Sequence, residues 1–136
     1  MRRLDLTAGT TSTLATNSSG GNIIFSTPVD LAVDGNTNLY ILTQGDGRIH
    51  QLDLRNISFG ATVTPITALN TFTAPNAIAF DGVGNLYVVE EGGALRRVAL
   101  SNNTVSASLV PVGTFIAPRG VEVLDNGKIA VSDGSR

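Results

Sequence analysis

Residues able to carry out chemistry are sparse in this 136-residue chain, and their spacing fits no catalytic constellation. His50 is the only histidine and there is no cysteine. A zinc site wants three or four nitrogen, sulfur or oxygen ligands converging on one point, so His50 cannot anchor one within a single chain. It falls in a segment expected to be a strand and reads as a half-exposed strand residue. Asp34, Asp81 and Asp125 each stand in an Asp-Gly or Asp-Asn setting, where a carboxylate caps backbone N–H groups of a turn. Asn38 and Asn85 read the same way. Gly92-Gly93 turns the chain, and with no helix expected after it there is no phosphate cradle. The arginine pairs Arg2-Arg3 and Arg96-Arg97 sit in expected strands, where neighbours point to opposite faces. One of each pair is expected in solvent and the other against a carboxylate of a neighbouring sheet.

Composition narrows the partners. The chain is 42% hydrophobic and 15% charged, with a net charge of −2 and a single lysine, Lys128. Such a balance offers no general attraction to nucleic acid or anionic membranes, and aromatic stacking platforms are few. No run approaches transmembrane length. The start, Met1-Arg-Arg-Leu-Asp-Leu6, lacks the apolar core of a signal peptide. With no cysteines to report on redox environment, the compartment is left open, cytoplasmic or exported. Asn-X-Ser/Thr triplets at Asn17, Asn56 and Asn102 are common by chance in a Ser- and Thr-rich chain.

The elements that must position these residues come from a repeat. Three segments share one shape: Pro28-Val-Asp-Leu-Ala-Val-Asp34 leading through Asn38 to Leu39-Tyr40-Ile-Leu; Pro75-Asn-Ala-Ile-Ala-Phe-Asp81 leading through Asn85 to Leu86-Tyr87-Val-Val; and Pro118-Arg-Gly-Val-Glu-Val leading through Asp125-Asn-Gly127 to Ile129-Ala-Val-Ser. Each is a proline, an alternating apolar run, an Asp/Gly/Asn turn and a second apolar run, the pattern of a β-hairpin. A third strand is expected in Gly47–Leu54 and Gly93–Leu100, and a fourth near Ala61–Ile66 and Thr104–Val110. No window combines helix formers with a helical period, so the chain reads as all-β. Four short strands per period of about 45 residues indicate a propeller blade.

The pattern Pro-x-Gly/Asp-apolar-Ala-Val/Phe-Asp-x-x-Gly-Asn-Leu-Tyr-Val resembles the NHL repeat over nearly the whole chain, with departures at Asp30 and Ala77, where that repeat usually has Gly, and at Ala130, where it usually has an aromatic. The resemblance implies a β-propeller of four-stranded blades with three blades per chain. The third hairpin stops at Arg136 without its outer strands, while Arg2–Leu6 matches Arg96–Leu100 and Thr10–Leu14 supplies a fourth strand. Residues 1–19 are therefore expected to complete the last blade of a second copy, with blades at 20–66 and 67–113 and inner strands of the last blade at 114–136. Two copies would close a six-bladed ring as a strand-exchanged homodimer; three would give nine blades, outside the usual range.

In such a ring a ligand site would lie at the channel mouth, where residues just before the innermost strands and just after the second strands converge. These are Asn76 and Arg119 with Gln44, Glu90, Glu91 and Asp133, alongside Val29, Asp30, Thr43 and Ser132. Their oxygen-rich character suits calcium rather than zinc. No catalytic residue and no metal ligand is assigned. The function expected is a non-catalytic binding or scaffold module whose partners are a second copy and a protein, peptide or glycan. The alternative is a metal-dependent enzyme similar to six-bladed lactonases and lyases.

Overall fold

A computed structural model describes residues 2–13, 23–35, 37–56 and 62–134. They form twelve strands in four antiparallel sheets, with a single 3-10 turn at Leu54–Asn56 and no α-helix among the described residues. Two sheets are complete four-stranded meanders. Sheet I runs β3 (Pro28–Val33), β4 (Asn38–Thr43), β5 (Arg48–Asp53), β6 (Val63–Pro65); sheet II runs β7 (Pro75–Phe80), β8 (Asn85–Glu90), β9 (Leu95–Ala99), β10 (Thr104–Val105). Two are hairpins: β1 (Arg2–Asp5) with β2 (Thr10–Thr13), and β11 (Pro118–Val123) with β12 (Ile129–Asp133). The fourth strands are shorter than the Thr/Val-rich segments led us to expect, β10 being two residues long.

The expected hairpins recur with the same register. Val33 pairs with Leu39, Phe80 with Leu86 and Val123 with Ile129. Each first strand also breaks register immediately after its proline, between Pro28 and Asp30, Pro75 and Ala77, and Pro118 and Gly120. The residue left out of the ladder is Val29, Asn76 or Arg119. A bulge of this kind bends the strand and re-aims one side chain at a sheet's end.

Side chains alternate across each strand, so both faces of a sheet are apolar, and the sheets stack through these faces. Strand β7 lies between β3 and β11. One face of sheet I (Ala32, Tyr40, Leu42, Ile49) meets Ile78, Leu86, Val88 and Val98 of sheet II in one core cluster, which Ile66 and Phe72 close. The other face of sheet II (Ala77, Ala79, Val89, Leu95) meets Val121, with Val123, Ile129 and Val131 around it. Ile41, Leu42, Ile49, Leu52, Leu86, Val88, Val89 and Val98 are all fully buried.

The segments joining the sheets are held by a repeated backbone contact. Phe72 N–H donates to the Gly47 carbonyl at 3.1 Å, and Asn70 N–H to that of Asp46 at 2.9 Å. Gly47 and Gly93 both have positive φ, 59° and 81°, and a Cβ at either would collide with a carbonyl oxygen, that of Phe72 or Phe115. Thr27 and Ala74, each just before a strand-opening proline, also have positive φ. Their carbonyls accept the Gln44 and Glu91 N–H groups at 2.8 and 3.0 Å.

Gly93→Ala combines an unfavourable φ with an unavoidable backbone clash and is expected to cost about 2–4 kcal/mol. Gly92→Ala, where a Cβ meets open space, is expected to stay within about 0.5 kcal/mol. Urea unfolding of the two variants followed by circular dichroism tests the contrast; equal stabilities would show that the joining segment is not clamped.

Candidate functional site

The bulge at the head of each hairpin and the last residue of each second strand lie at the same end of the sheets. Pro75 pairs with Glu90 and Pro118 with Asp133, so Asn76, Arg119, Gln44, Glu90, Glu91 and Asp133 all gather at this end. Several are engaged in joining one sheet to the next. The Asn76 amide donates to the Pro118 carbonyl at 2.8 Å, and the Gln44 amide reaches the Pro75 carbonyl at 3.4 Å. Asp30 accepts the Ile78 N–H of sheet II at 2.9 Å while its other oxygen accepts Leu31 N–H. The departure of Asp30 from the repeat pattern was the sequence signal for this link, and its role as an inter-sheet acceptor was not foreseen.

Glu90 and Asp133 do equivalent work. Glu90 is only 6% exposed, and its Oε2 accepts the Thr73 N–H at 2.7 Å. Both oxygens of Asp133 accept the Ile116 N–H at 3.0 Å, and Oδ1 also takes the Ala117 N–H at 2.7 Å. Each carboxylate thus ties down the segment entering its own sheet. Arg96 Nε stands 3.2 Å from Glu90 Oε1 without its N–H aimed at that oxygen, so the contact is an ion pair rather than a hydrogen bond. Its Nη1 donates to the Thr71 carbonyl at 2.7 Å. The expected division of the arginine pair holds in that Arg97 is exposed. The carboxylate that Arg96 meets is in its own sheet, however, because Arg96 lies opposite Val88, two residues before Glu90 on β8. Arg119 and Glu91 are exposed, and among the described residues neither side chain has a polar partner.

His50 lies on β5 with its Nε2 3.4 Å from Asp46 Oδ2 and its ring edge-on to Phe25 at 5.6 Å. Its side chain is 14% exposed, less than the half-exposed position expected. Asp46 also accepts the Thr43 hydroxyl. No group of three or more histidine, cysteine, aspartate or glutamate side chains is arranged to hold a metal among the described residues.

At the opposite end of the sheets the turn carboxylates are structural. Asp81 Oδ1 accepts the Val83, Gly84 and Asn85 N–H groups, and Oδ2 the Asn85 amide. Asp34 accepts the Asn38 N–H, the Asn38 amide and the Tyr40 hydroxyl. Burial alone would raise both pKa values, but these hydrogen bonds, from Asn38 and Tyr40 in one turn and from Asn85, Val83 and Gly84 in the other, outweigh it and leave both carboxyls below the ordinary aspartate range. Burial, then the bond to Asp34, pushes the Tyr40 hydroxyl up. The third turn is different. Leu124 N–H donates to the Lys128 carbonyl just as Asp81 N–H does to that of Asn85, so Leu124 occupies the capping position and Asp125 falls one place beyond it. Asn126 caps Lys128 N–H there instead. Between the second and third turns lies a groove of about 550 Å³ whose lining includes Phe80, Asp81, Tyr87, Val123, Leu124 and Asp125.

Of the glycosylation triplets, Asn17 lies outside the described residues and Asn102 is an exposed turn residue whose side chain accepts the Thr104 N–H.

Because Asp34 and Asp81 are held below their unfolded value near 3.8, the stability they contribute is complete above that value and is lost as pH falls through the lower folded values. Asp81→Ala is expected to cost about 1–2 kcal/mol at pH 7 and to flatten the loss of stability below pH ~4. Asp125→Ala should be close to neutral. Thermal melts of both variants between pH 2.5 and 7 provide the check, and an equal loss in the two would refute the assignment of Leu124 to the capping position. Compared with known proteins, the chain matches no family model and no curated sequence.

Proposed function

We propose that this chain is a three-blade segment of an NHL-like β-propeller and acts as a non-catalytic binding or scaffold module. In this reading two copies close a six-bladed ring, and the mouth of its channel takes a protein, peptide or glycan. The observation that carries the reading is the bulge repeated at the head of β3, β7 and β11. It sets Val29, Asn76 and Arg119 at one end of three neighbouring strands. An end surface built of consecutive, chemically different positions is suited to reading a ligand's shape and polarity.

The division of labour among the polar groups supports binding over catalysis. Glu90 and Asp133, the carboxylates nearest the mouth, are occupied by backbone N–H groups and, for Glu90, by Arg96. A general base or metal ligand needs an acceptor directed at a reacting group, and these are directed at the protein. Arg119 and Glu91 are exposed and, among the described residues, without a polar partner, and we assign them the contact with ligand.

Static light scattering over a dilution series is expected to give the mass of two chains. A folded monomer would remove the ring. With an array of peptides and glycans as probes, Arg119→Ala combined with Glu91→Ala should weaken any retained binding at least tenfold without changing mass or melting temperature. A rise of several degrees in melting temperature on adding calcium or manganese would instead favour the metal-dependent enzyme.

A further inference from the structure

The two incomplete sheets carry the two halves of one repeat. In the hairpin β1–β2, Asp5 pairs with Thr10 and Leu4 with Thr11; in β9–β10, Ala99 pairs with Thr104 and Val98 with Val105. The intervening turns have equal length, and the residue before the second strand has positive φ in both, Gly9 at 64° and Asn103 at 56°. The N-terminal hairpin is therefore a copy of the outer half of sheet II. By the same test β11–β12 copies the inner half: Pro118 faces Asp133 as Pro75 faces Glu90, with the same bulge after the proline. Among the described residues neither hairpin is paired to another strand, so β12 has an open edge where β8 has β9, and β1 has an open edge where β9 has β8.

We infer that β1 of one chain adds to the free edge of β12 in a second copy, in the register that β9 takes on β8. This inference rests on the ring reading above and specifies its interface. Carrying the β8–β9 register across places Asp5 opposite Lys128, Leu4 opposite Ile129, Arg3 opposite Ala130 and Arg2 opposite Val131. The chemistry of these pairs fits. Asp5 and Lys128 are opposite charges on facing residues, a favourable cross-strand pair. Leu4, 56% exposed, takes the place of Val98, which is fully buried. Arg2 takes the register position of Arg96, and Asp133 that of Glu90, the two residues that form an ion pair in sheet II.

The occupant argued for is a second copy, because the stack formed by the described residues ends in two unlike faces kept apart by β7, which lies between β3 and β11. At one end Leu31 and Val33 are uncovered beside a hollow of about 400 Å³ formed with Phe25, Pro28 and Ile41. The position of Leu31 in sheet II is that of Ile78, which is buried against sheet I. At the other end β11–β12 offers the small residues Gly120, Ala130 and Ser132 around Glu122. Large aliphatic side chains at one end and small ones at the other are complementary in shape between copies.

The chain contains no cysteine, so engineered pairs report the register directly. Leu100 N–H donates to the Gly84 carbonyl, which makes Asn85 and Ala99 a non-hydrogen-bonded pair. By alternation Tyr87 and Arg97 are another, with Cα atoms about 4.5 Å apart, within disulfide range. The transferred equivalents are Lys128 with Asp5 and Ala130 with Arg3. Arg3→Cys with Ala130→Cys, and separately Asp5→Cys with Lys128→Cys, should give on mild oxidation a covalent species of twice the chain mass on a non-reducing gel. Either should form it at least tenfold faster than Arg3→Cys with Ser132→Cys, which is out of register by two residues. Light scattering on the reduced variants separates the possible failures. A dimer whose in-register and out-of-register pairs cross-link equally, or not at all, would overturn this pairing and leave the ring standing. A disulfide within a monomer would overturn the second copy as the occupant. A reduced monomer that forms no cross-link would overturn both the pairing and the ring.

Discussion

A sheet that is apolar on both faces has to be covered on both, and this requirement organises everything else in the protein. In sheet II the alternation along β7, β8 and β9 sends Ile78, Leu86, Val88 and Val98 to one side and Ala77, Ala79, Val89 and Leu95 to the other, and both sides are buried against neighbours. At roughly 25 cal/mol per Å² of apolar surface removed from water, such double-sided burial is the main source of stability available to a chain with no disulfide and few ion pairs. Sheet II thus depends on sheet I on one side and on β11–β12 on the other, and the strength of the arrangement is a property of the stack.

The polar groups follow from that arrangement. The backbone segments running between stacked sheets bring N–H groups that must find acceptors. Glu90 and Asp133 supply those acceptors, Asn76, Gln44 and Asp30 fasten adjacent sheets, and the glycines at 47 and 93 let the joining segment approach closely enough to be fastened at all. A carboxylate at the end of the second strand would be read from sequence as a candidate for chemistry. In this fold it is first a device for closing the backbone.

What was legible in the sequence was whatever repeats. Proline, alternating apolar residues, Asp and Asn-Leu-Tyr recur with a period long enough to define hairpins, and the third strands followed from their glycine turns. Positions set by tertiary contact were harder to see. The bulges leave no mark in composition, since Val29, Asn76 and Arg119 share no property. Asp125 was aligned with Asp34 and Asp81 by residue type, whereas hydrogen bonding puts Leu124 in their place; identity misled where register decided. One arginine of the Arg96-Arg97 pair was expected to meet a carboxylate of a neighbouring sheet, but Arg96, opposite Val88, meets Glu90 of its own. Among the six residues expected at the channel mouth, the sequence located the end of the sheets at which they gather and could not tell which would be consumed in joining sheets.

The bulge has a consequence for how such a protein changes over time. A residue excluded from the ladder takes no part in strand pairing, and where its side chain also has no polar partner among the described residues, as at Arg119, selection for folding acts on it weakly. Valine, asparagine and arginine occupy the three equivalent places, while the proline before each is kept. Mutation at such a position can therefore redraw the chemistry of this end of the molecule, and a new ligand preference can arise there with little risk to the scaffold that presents it.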